Sequence, residues 1–272
     1  MELNQENIEQ NQLRSSILYK YLDLNGAIMM LYYSNLQFTN ATKLNDPFDC
    51  HPNLIDFSNV PPAVSKGWPK EVIEQTESHR HQRYREKTWI CCLSKLFNSL
   101  LMWSYYNGHK GVCVGLNMEK VAGYLNDSNG MLDISSECEV QYRDIIDKPD
   151  YFQSPTDIFH YQMCTKGKDW EHEQEVRIFI SDPPPWYQSL LPGQNDKDGP
   201  IDGKEIRAFL KIGGECFESI YFGVNIKVKD KDKIITLARK LNPDIKIYQM
   251  EINPNAFRLD ATNYDNNHSK AT

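Results

Sequence analysis

The sequence predicts an α+β protein in which a mixed, mostly antiparallel β-sheet is flanked by helices. Apolar runs of strand length are interspersed with helical segments, without the regular strand–helix alternation of a doubly wound sheet. Hydrophobic residues make up 40 % of the 272 residues, which is ample for a packed core and excludes global disorder. Since no Gly/Ser-rich or Pro-rich linker divides the chain, we expect residues 1–262 to form one domain.

The first elements are predicted to be a strand, a helix and a second strand. Residues 18–22 (LYKYL) form a run of strand length, and Asp23 and Asn25 are suited to open a helix over residues 24–33. Residues 36–39 (LQFT) predict the second strand.

The remaining elements follow from the same local signals. Pro69 suits the start of a helix over residues 70–87, because its missing N–H is not needed there. Ser154 or Thr156 could cap a helix over residues 154–166. Further strands are expected at 88–93, 111–116, 138–142, 176–180, 206–212, 219–222 and 245–250, and further helices at 118–125 and 230–241.

Two segments are expected to lack regular structure. Residues 182–204 contain three consecutive prolines together with Gly, Asn and Asp, which favours a long loop or lid. The polar tail, residues 263–272, is expected to be disordered.

Composition restricts the partners and the compartment. The net charge of −7 argues against a protein that coats nucleic acid or an anionic membrane, although a local basic patch remains open. Neither a signal peptide nor an apolar run of the ~20 residues that span a bilayer is visible, so we expect a cytoplasmic protein without membrane association. The seven cysteines include no C-x-x-C pair, and we expect reduced, buried thiols with neither a zinc site nor a disulfide.

The strongest candidate for chemistry is the segment 170–177 (WEHEQEVR), which runs into a strand at residues 176–180 with one solvated or functional face. Glu173 and Glu175 are two positions apart at the entry to this strand, so their side chains should share one face. Two such carboxylates raise the pKa of one of them unless a cation or substrate lies between them, and Arg177 could be that cation. A solvated strand edge with a local Glu–Arg pair is the alternative.

A second segment, residues 45–51 (NDPFDCH), combines a turn with candidate ligands. Asn45 and Asp46 before a proline favour a rigid turn, which by itself explains these residues. In the functional interpretation, Asp46, Asp49 and His51 are metal or ribose ligands.

A third segment, residues 101–111 (LMWSYYNGHKG), is rich in aromatic residues and ends in a turn. Trp103 and Tyr105 could stack on a planar ligand whose polar edge Ser104 would hydrogen-bond. Because aromatic residues at near-helical spacing are also typical of a core, pure packing is the alternative for Trp103.

The fourth segment, residues 79–87 (HRHQRYREK), is basic in an otherwise acidic chain. Its Arg80, Arg83 and Arg85 could bind the phosphates of a nucleic-acid acceptor or contact a protein acceptor. A solvated helix face is the alternative.

In this order, the landmarks resemble the bacterial family catalogued as domain of unknown function 2971. The pieces N-D-P-F and M-W-S-x-Y are its more specific parts, and the name implies no activity. The resembling segments are 18–22, 36–49, 90–116 and 166–180.

A weaker similarity connects the chain with the ADP-ribosyltransferase superfamily, particularly the bacterial toxins that modify nucleic acids. That superfamily begins with a strand, a helix and a strand, takes a hydroxyl or tyrosine from a middle element, and places a glutamate, often the second acid of E-x-E, before a late strand. Residues 18–39 and the Glu173–Glu175 pair are similar in order. Its first strand usually carries Arg or His, where this chain has Lys20, which binds phosphate without the arginine fork.

This similarity implies an enzyme that consumes NAD as a substrate. Glu175 would be the essential acid that stabilises oxocarbenium-like charge on the ribose, and Glu173 would orient or deprotonate an acceptor. Tyr105 would be the third catalytic residue. The NAD-binding residues that the similarity implies are Lys20, Tyr21, Asn45, Asp46, Ser94, Trp103, Ser104 and Arg177.

Three functions therefore remain open. The first is an NAD-consuming ADP-ribosyltransferase or NAD glycohydrolase, acting as a bacterial toxin or phage-defence effector. The second is a metal-dependent nuclease that holds Mg²⁺ with Asp46, Asp49, Glu173 and Glu175. The third is a non-catalytic sensor or interaction module. The chain lacks the motifs of P-loop NTPases, Rossmann dinucleotide sites, serine hydrolases and zincins.

Overall fold

The computed structural model describes residues 17–128, 135–154, 157–181 and 207–265, without the side chains of residues 126–128 and 135–137. The strands are β1 (Ile17–Leu22), β2 (Asn35–Asn40), β3 (Thr88–Ser94), β4 (Val112–Asn117), β5 (Ser135–Glu139), β6 (Gln141–Arg143), β7 (Thr165–Gly167), β8 (Glu175–Ser181), β9 (Arg207–Lys211), β10 (Phe217–Phe222), β11 (Lys246–Ile252) and β12 (Leu259–Asn263). The helices are α1 (Leu24–Tyr33), α2 (Pro62–Ser65), α3 (Lys70–Lys87), α4 (Leu100–Asn107), α5 (Met118–Ser128), α6 (Ile158–Cys164) and α7 (Val228–Leu241).

The described strands form one large sheet and one small one. The large sheet has ten strands in the order β12-β11-β10-β4-β1-β3-β2-β9, with β8 and β5 attached beside β3. Its pairs are antiparallel apart from β10 and β11, which are parallel and connected through α7. A separate parallel pair is formed by β6 and β7. The predicted α+β class with a mixed, mostly antiparallel sheet is confirmed.

The sheet divides at β3. One edge of β3 pairs with β8 along its whole length, from Thr88 to Ser94. The other edge pairs with β1 only at Ser94 and with β2 only at Trp89 and Ile90. The strands β1 and β2 therefore separate between these points, and the Nζ of Lys20 donates a hydrogen bond of 2.7 Å to the carbonyl of Cys92 in the gap.

The two faces of the sheet are covered differently. The face that carries Leu18 packs against α1, α5 and α7 in the largest buried apolar cluster. The opposite face is covered by α4 near β1 and β10, and by α6 near β3 and β8. Because side chains alternate along a strand, Glu175 and Arg177 of β8 lie on this second face, opposite Val176.

One predicted helix is shorter than expected. The helix predicted over residues 154–166 is α6, and its cap is Asp157, whose carboxylate accepts a hydrogen bond of 3.1 Å from the N–H of His160. Ser154 therefore does not cap it, and Thr156 lies outside the described residues. The last predicted residues leave the helix because they form β7.

Three strand predictions also differ from the structure. The strand predicted at residues 138–142 is divided at Val140, whose N–H donates to Glu175 in β8 while the following residues pair with β7. The strand β8 has no solvated face, because it lies between β3 and β5 and only its last residue is exposed. The strand β12 was not predicted, and it includes Asn263 at the start of the predicted tail; residues 266–272 lie outside the described part.

The expectation that all cysteines are reduced is wrong for one pair. Cys138 in β5 and Cys164 at the end of α6 form a disulfide, with Cα atoms 6.5 Å apart and a sequence separation of 26. Their pairing results from the packing of α6 beside β5, which the sequence spacing does not reveal. The free cysteines in the described residues are Cys50, Cys91, Cys92, Cys113 and Cys216.

The helices of the described residues include none that is long and apolar enough to cross a membrane. The loop or lid predicted at residues 182–204 lies outside the described residues.

Candidate active site

Glu173 and Glu175 lie on either side of a tight turn that precedes β8. Residues Lys168–Glu173 form a 3₁₀ turn, and Gln174 follows in a left-handed conformation with φ of 44°. This conformation costs free energy for any residue other than glycine, and such strain is frequent at functional sites. The carbonyl of Gln174 accepts a hydrogen bond of 3.0 Å from the backbone N–H of Lys95, which fixes the turn, and both acids are buried.

Lys166 lies between the two acids. Its Nζ is 2.6 Å from Oε2 of Glu173, 3.2 Å from Oε2 of Glu175 and 3.9 Å from Oδ2 of Asp49. The same ammonium lies 4.6 Å from the ring centroid of Trp170, which adds a cation–π contact. The cation that the acidic pair requires is therefore supplied first by Lys166, which the sequence analysis did not identify.

Arg177 is the second cation and is fully buried. Its Nε and Nη2 donate to Glu175 at 2.9 and 3.1 Å, and its Nη1 and Nη2 each donate to Asp49 at 2.8 Å. Nη1 also donates to the carbonyl of Met163 at 2.6 Å, so all five N–H groups of the guanidinium are used. We call these five residues the charged cluster: Asp49, Lys166, Glu173, Glu175 and Arg177.

The ion pairs determine the protonation of the charged cluster. Burial acts to raise the pKa of Glu175, but Arg177 and Lys166 outweigh it and lower this pKa to about 2. Burial likewise acts to lower the pKa of Lys166, but Glu175, Glu173 and Asp49 raise it. Glu175 is thus a carboxylate and Lys166 an ammonium at neutral pH.

The tyrosine that contacts the acidic pair is Tyr106. Its hydroxyl donates a hydrogen bond of 2.8 Å to Oε1 of Glu173, and burial together with this carboxylate raises the pKa of Tyr106. The predicted catalytic residue, Tyr105, is 69 % exposed and contacts His172, because adjacent residues of α4 point in different directions. The structure therefore joins the predicted aromatic segment to the acidic pair, but through a different side chain.

The charged cluster borders a narrow cleft of about 70 Å³, which lies where β1 and β2 separate beside β3. Of the residues predicted for the site, those that line it are Lys20, Tyr21, Asn45, Ser94, Glu173 and Glu175, and Asp49, Cys92, Tyr106 and Lys166 join them.

Ser94 and Tyr21 hold the backbone around the cleft. The hydroxyl of Ser94 donates a hydrogen bond of 2.7 Å to the carbonyl of Glu173 and accepts one of 3.0 Å from Leu96. The hydroxyl of Tyr21 donates 2.9 Å to the carbonyl of Leu96 and accepts 3.2 Å from the N–H of Ser99. Both hydroxyls are therefore engaged by main-chain groups.

Trp103 and Ser104 do not line the cleft. Trp103 is fully buried, its Nε1 donates to the carbonyl of Phe97 at 2.8 Å, and its ring packs edge-on against Tyr21. Trp103 is therefore a core residue and not a ligand-stacking one, since a buried ring is not available for stacking on a ligand. Ser104 is exposed on α4.

The segment 45–51 divides between a turn and the charged cluster. A carboxylate oxygen of Asp46 accepts 2.9 Å from the N–H of Phe48, and Nδ1 of His51 accepts 3.1 Å from the N–H of Asn53. These contacts are those of a turn and of a helix cap. Asp49, by contrast, binds Arg177, so the three candidate ligands do not converge on one point.

Two larger pockets adjoin the cleft. A pocket of about 350 Å³ lies between α1, β2 and β9, and its lining includes Lys20, Arg207, Met29 and Phe209. A second pocket of about 380 Å³ shares Lys166 with the cleft. Lys20 and Lys166 thus each stand at a junction between the cleft and a larger space.

The basic segment, residues 79–87, lies away from the cleft in the second half of α3, and we call it the basic stripe. This helix ends where β3 begins, whereas the cleft lies at the other end of β3, at Ser94. Arg80 pairs with Glu77 at 3.2 Å, and Arg83 is exposed.

Within the described residues, no group of three or more His, Cys, Asp or Glu side chains is arranged to hold a metal ion. Among the site residues, Lys166 and Tyr106 were not predicted from the sequence. The polar segment 165–175 contains two lysines, and nothing local shows that Lys166 is buried and Lys168 exposed. Neighbouring tyrosines of a helix cannot be ranked without knowing which face of the helix is covered.

Comparison with known proteins shows a similarity to one family model over part of the chain and indicates no activity. Searches of curated proteins and of solved structures found no match. Residues 102–178, which carry Tyr106, Lys166 and the acidic pair, match the model of a family described as "Protein of unknown function (DUF2971)". Over these residues, the match confirms the resemblance to this family that the sequence predicts.

Proposed function

We propose that the protein is an NAD-consuming, ADP-ribosyltransferase-like enzyme, acting as a bacterial toxin or phage-defence effector. The observation that carries the proposal is the convergence of Lys20, Tyr106, Glu173 and Glu175 on one cleft, although they come from four separate elements. A strained turn and buried ion pairs fix the two acids there, and such groups cluster at functional sites.

The charges suit the cleavage of a nicotinamide–ribose bond. This cleavage develops oxocarbenium-like positive charge on the ribose, which a fixed carboxylate stabilises. The charged cluster contains three carboxylates and two cations, so one negative charge is in excess when all are ionised. In the proposal, Glu175 faces the ribose and Glu173, held by Tyr106, orients the acceptor.

The neighbouring pocket provides room for the remainder of the nucleotide. The cleft of about 70 Å³ is too small for a dinucleotide, but Lys20 also lines the pocket of about 350 Å³. Lys20 and Arg207 are suited to the diphosphate as positive charges, and the apolar wall with Met29 and Phe209 is suited to adenine.

The test is transfer of label from NAD that is labelled in its adenylate phosphate. Cell extract would be incubated with the wild type, with Glu175→Gln, and with Glu171→Gln as the matched control, since the side chain of Glu171 pairs with Lys168 at the surface. We expect label in a protein, nucleic-acid or small-molecule fraction with the wild type and Glu171→Gln, and none with Glu175→Gln. Equal label with all three folded proteins would contradict the assignment of Glu175, and no label with any would contradict NAD consumption.

A non-catalytic sensor or interaction module is the second candidate, because both acids are already bonded to buried cations and the cleft is small. It predicts that Glu175→Gln and the wild type have the same biological effect in cells. A nuclease is less well supported, since Lys166 and Arg177 occupy the positions between the acids where a metal ion would bind.

A further inference from the structure

The disulfide between Cys138 and Cys164 lies against the charged cluster. Across three adjacent strands, Cys92, Arg177 and Cys138 are in register, so Arg177 has a cysteine on each neighbouring strand. Cys138 is partly exposed, whereas Cys164 is buried. The sulfur of Cys138 is therefore the one that a dissolved thiol reaches first.

The disulfide also fixes the segment that holds both cations. Cys164 follows Met163, whose carbonyl accepts from Arg177 at 2.6 Å, and it precedes Lys166 by two residues. One bond thus connects the end of α6 and the start of β7 to β5, the strand beside Arg177. Opening this bond removes the only covalent connection between the two segments apart from the intervening chain.

We propose that Cys138 and Cys164 form a redox-sensitive modification site that exchanges with low-molecular-weight thiols of the glutathione class and controls the order of the charged cluster. In the closing step, the thiolate of one cysteine attacks oxidised glutathione and releases one glutathione thiol. The second cysteine then attacks the mixed disulfide and releases another. The two protein thiols lose two electrons and two protons in total, and one oxidised glutathione becomes two thiols.

The redox state of the compartment determines whether this disulfide is permanent or transient. In a reducing compartment, disulfides are transient and are usually catalytic or redox-sensing. This bond joins the two segments around Lys166 and Arg177, so its formation or reduction would change the order of the charged cluster. This effect does not depend on which reaction occurs in the cleft. The inference therefore does not depend on NAD as the substrate.

The experiment uses the full chain equilibrated in glutathione buffers that range from fully reduced to fully oxidised. Alkylation followed by mass spectrometry measures the state of each cysteine, and hydrogen exchange measures the backbone amides of residues 158–177. We expect Cys138 and Cys164 to titrate together, and exchange in this segment to become roughly tenfold faster in the reduced protein. In Cys138→Ser, exchange should be fast in every buffer and unaffected by glutathione.

Two results would overturn the proposal. The first is a bond between Cys138 and Cys164 that stays fully formed, or fully open, in every buffer. The second is joint titration of the two cysteines without a change of exchange in residues 158–177. As a control for general effects of glutathione, exchange in α7, which lies on the other face of the sheet, should be unchanged in all buffers.

Discussion

The charged cluster around β8 and the basic stripe on α3 both concentrate charged residues in the sequence. In the structure, the cluster is buried, whereas most of the stripe is exposed to solvent. Arg177 is fully buried and all its N–H donors are used, whereas Arg83 is exposed. The cause is the number of neighbours. The strand β8 lies between two other strands, whereas α3 buries only Ile73, Glu77 and His81.

The two regions differ in the desolvation free energy of their charged side chains, which is large for the buried cluster and small for the exposed stripe. Moving charges out of water costs free energy that a buried ion pair often repays only in part, so the burial of the charged cluster is weak evidence that it stabilises the fold. Buried ion pairs beside a cleft are frequent at functional sites, and this is an argument in favour of the enzymatic proposal. The exposed stripe requires no such explanation.

The largest effect is expected from Arg177→Met. This change leaves Asp49 and Glu175 buried without their shared partner, and we expect it to lower the free energy of unfolding by about 3–5 kcal/mol. The matched change Arg83→Met on the basic stripe should alter it by less than about 0.5 kcal/mol. Urea unfolding of both variants measures the difference. Similar values for the two positions would mean that the charged cluster is solvated in solution.

The next effect is a loss of stability in acid that depends on Glu175. Its pKa is about 2 in the folded protein, where Arg177 and Lys166 overcome the effect of burial, and about 4.3 in an unfolded chain. The folded pKa is the lower one, so the stabilisation is complete above about pH 4.3 and is lost as the pH falls towards 2. Urea unfolding between pH 6 and pH 2.5 should show a shallower decline for Glu175→Gln than for the wild type. The control Glu171→Gln should retain the wild-type slope; equal slopes for all three proteins would contradict the ion pairs of Glu175.

A smaller effect should separate the two tyrosines of α4. Tyr106→Phe removes the hydroxyl that donates to Glu173, and we expect a loss of about 1 kcal/mol, because the acceptor is a buried carboxylate but the Tyr106 side chain is itself 43 % exposed. Tyr105→Phe removes an exposed hydroxyl and should have no measurable effect on stability. Thermal unfolding of both variants measures this difference. If label transfer from NAD were lost in Tyr105→Phe and kept in Tyr106→Phe, the assignment of Tyr106 to the site would be wrong.

Features of this fold that depend on residues close together in the sequence could be predicted, and features that depend on distant residues could not. Local patterns identify most elements, because the apolar runs and the capping residue Asp23 act over a few residues. They also identify Glu173 and Glu175 as a pair. The burial of both faces of β8 could not be predicted, because it depends on β3 and β5, which are distant in sequence. The same reason explains why Lys166 and the Cys138–Cys164 bond were not anticipated.

The smallest effect is expected from the double variant Arg80→Ala, Arg83→Ala, which tests whether the exposed basic stripe binds nucleic acid. If the basic stripe binds the phosphates of a nucleic-acid acceptor, this variant should weaken binding to single-stranded DNA or RNA, and the slope of log affinity against log salt should fall by about 1.4. Filter binding at several salt concentrations measures the slope, with Lys229→Ala and Lys233→Ala on α7 as the control. Equal slopes for the wild type and the double variant would leave the stripe as a solvated helix face and would direct the search for an acceptor to the pockets beside Lys20 and Lys166.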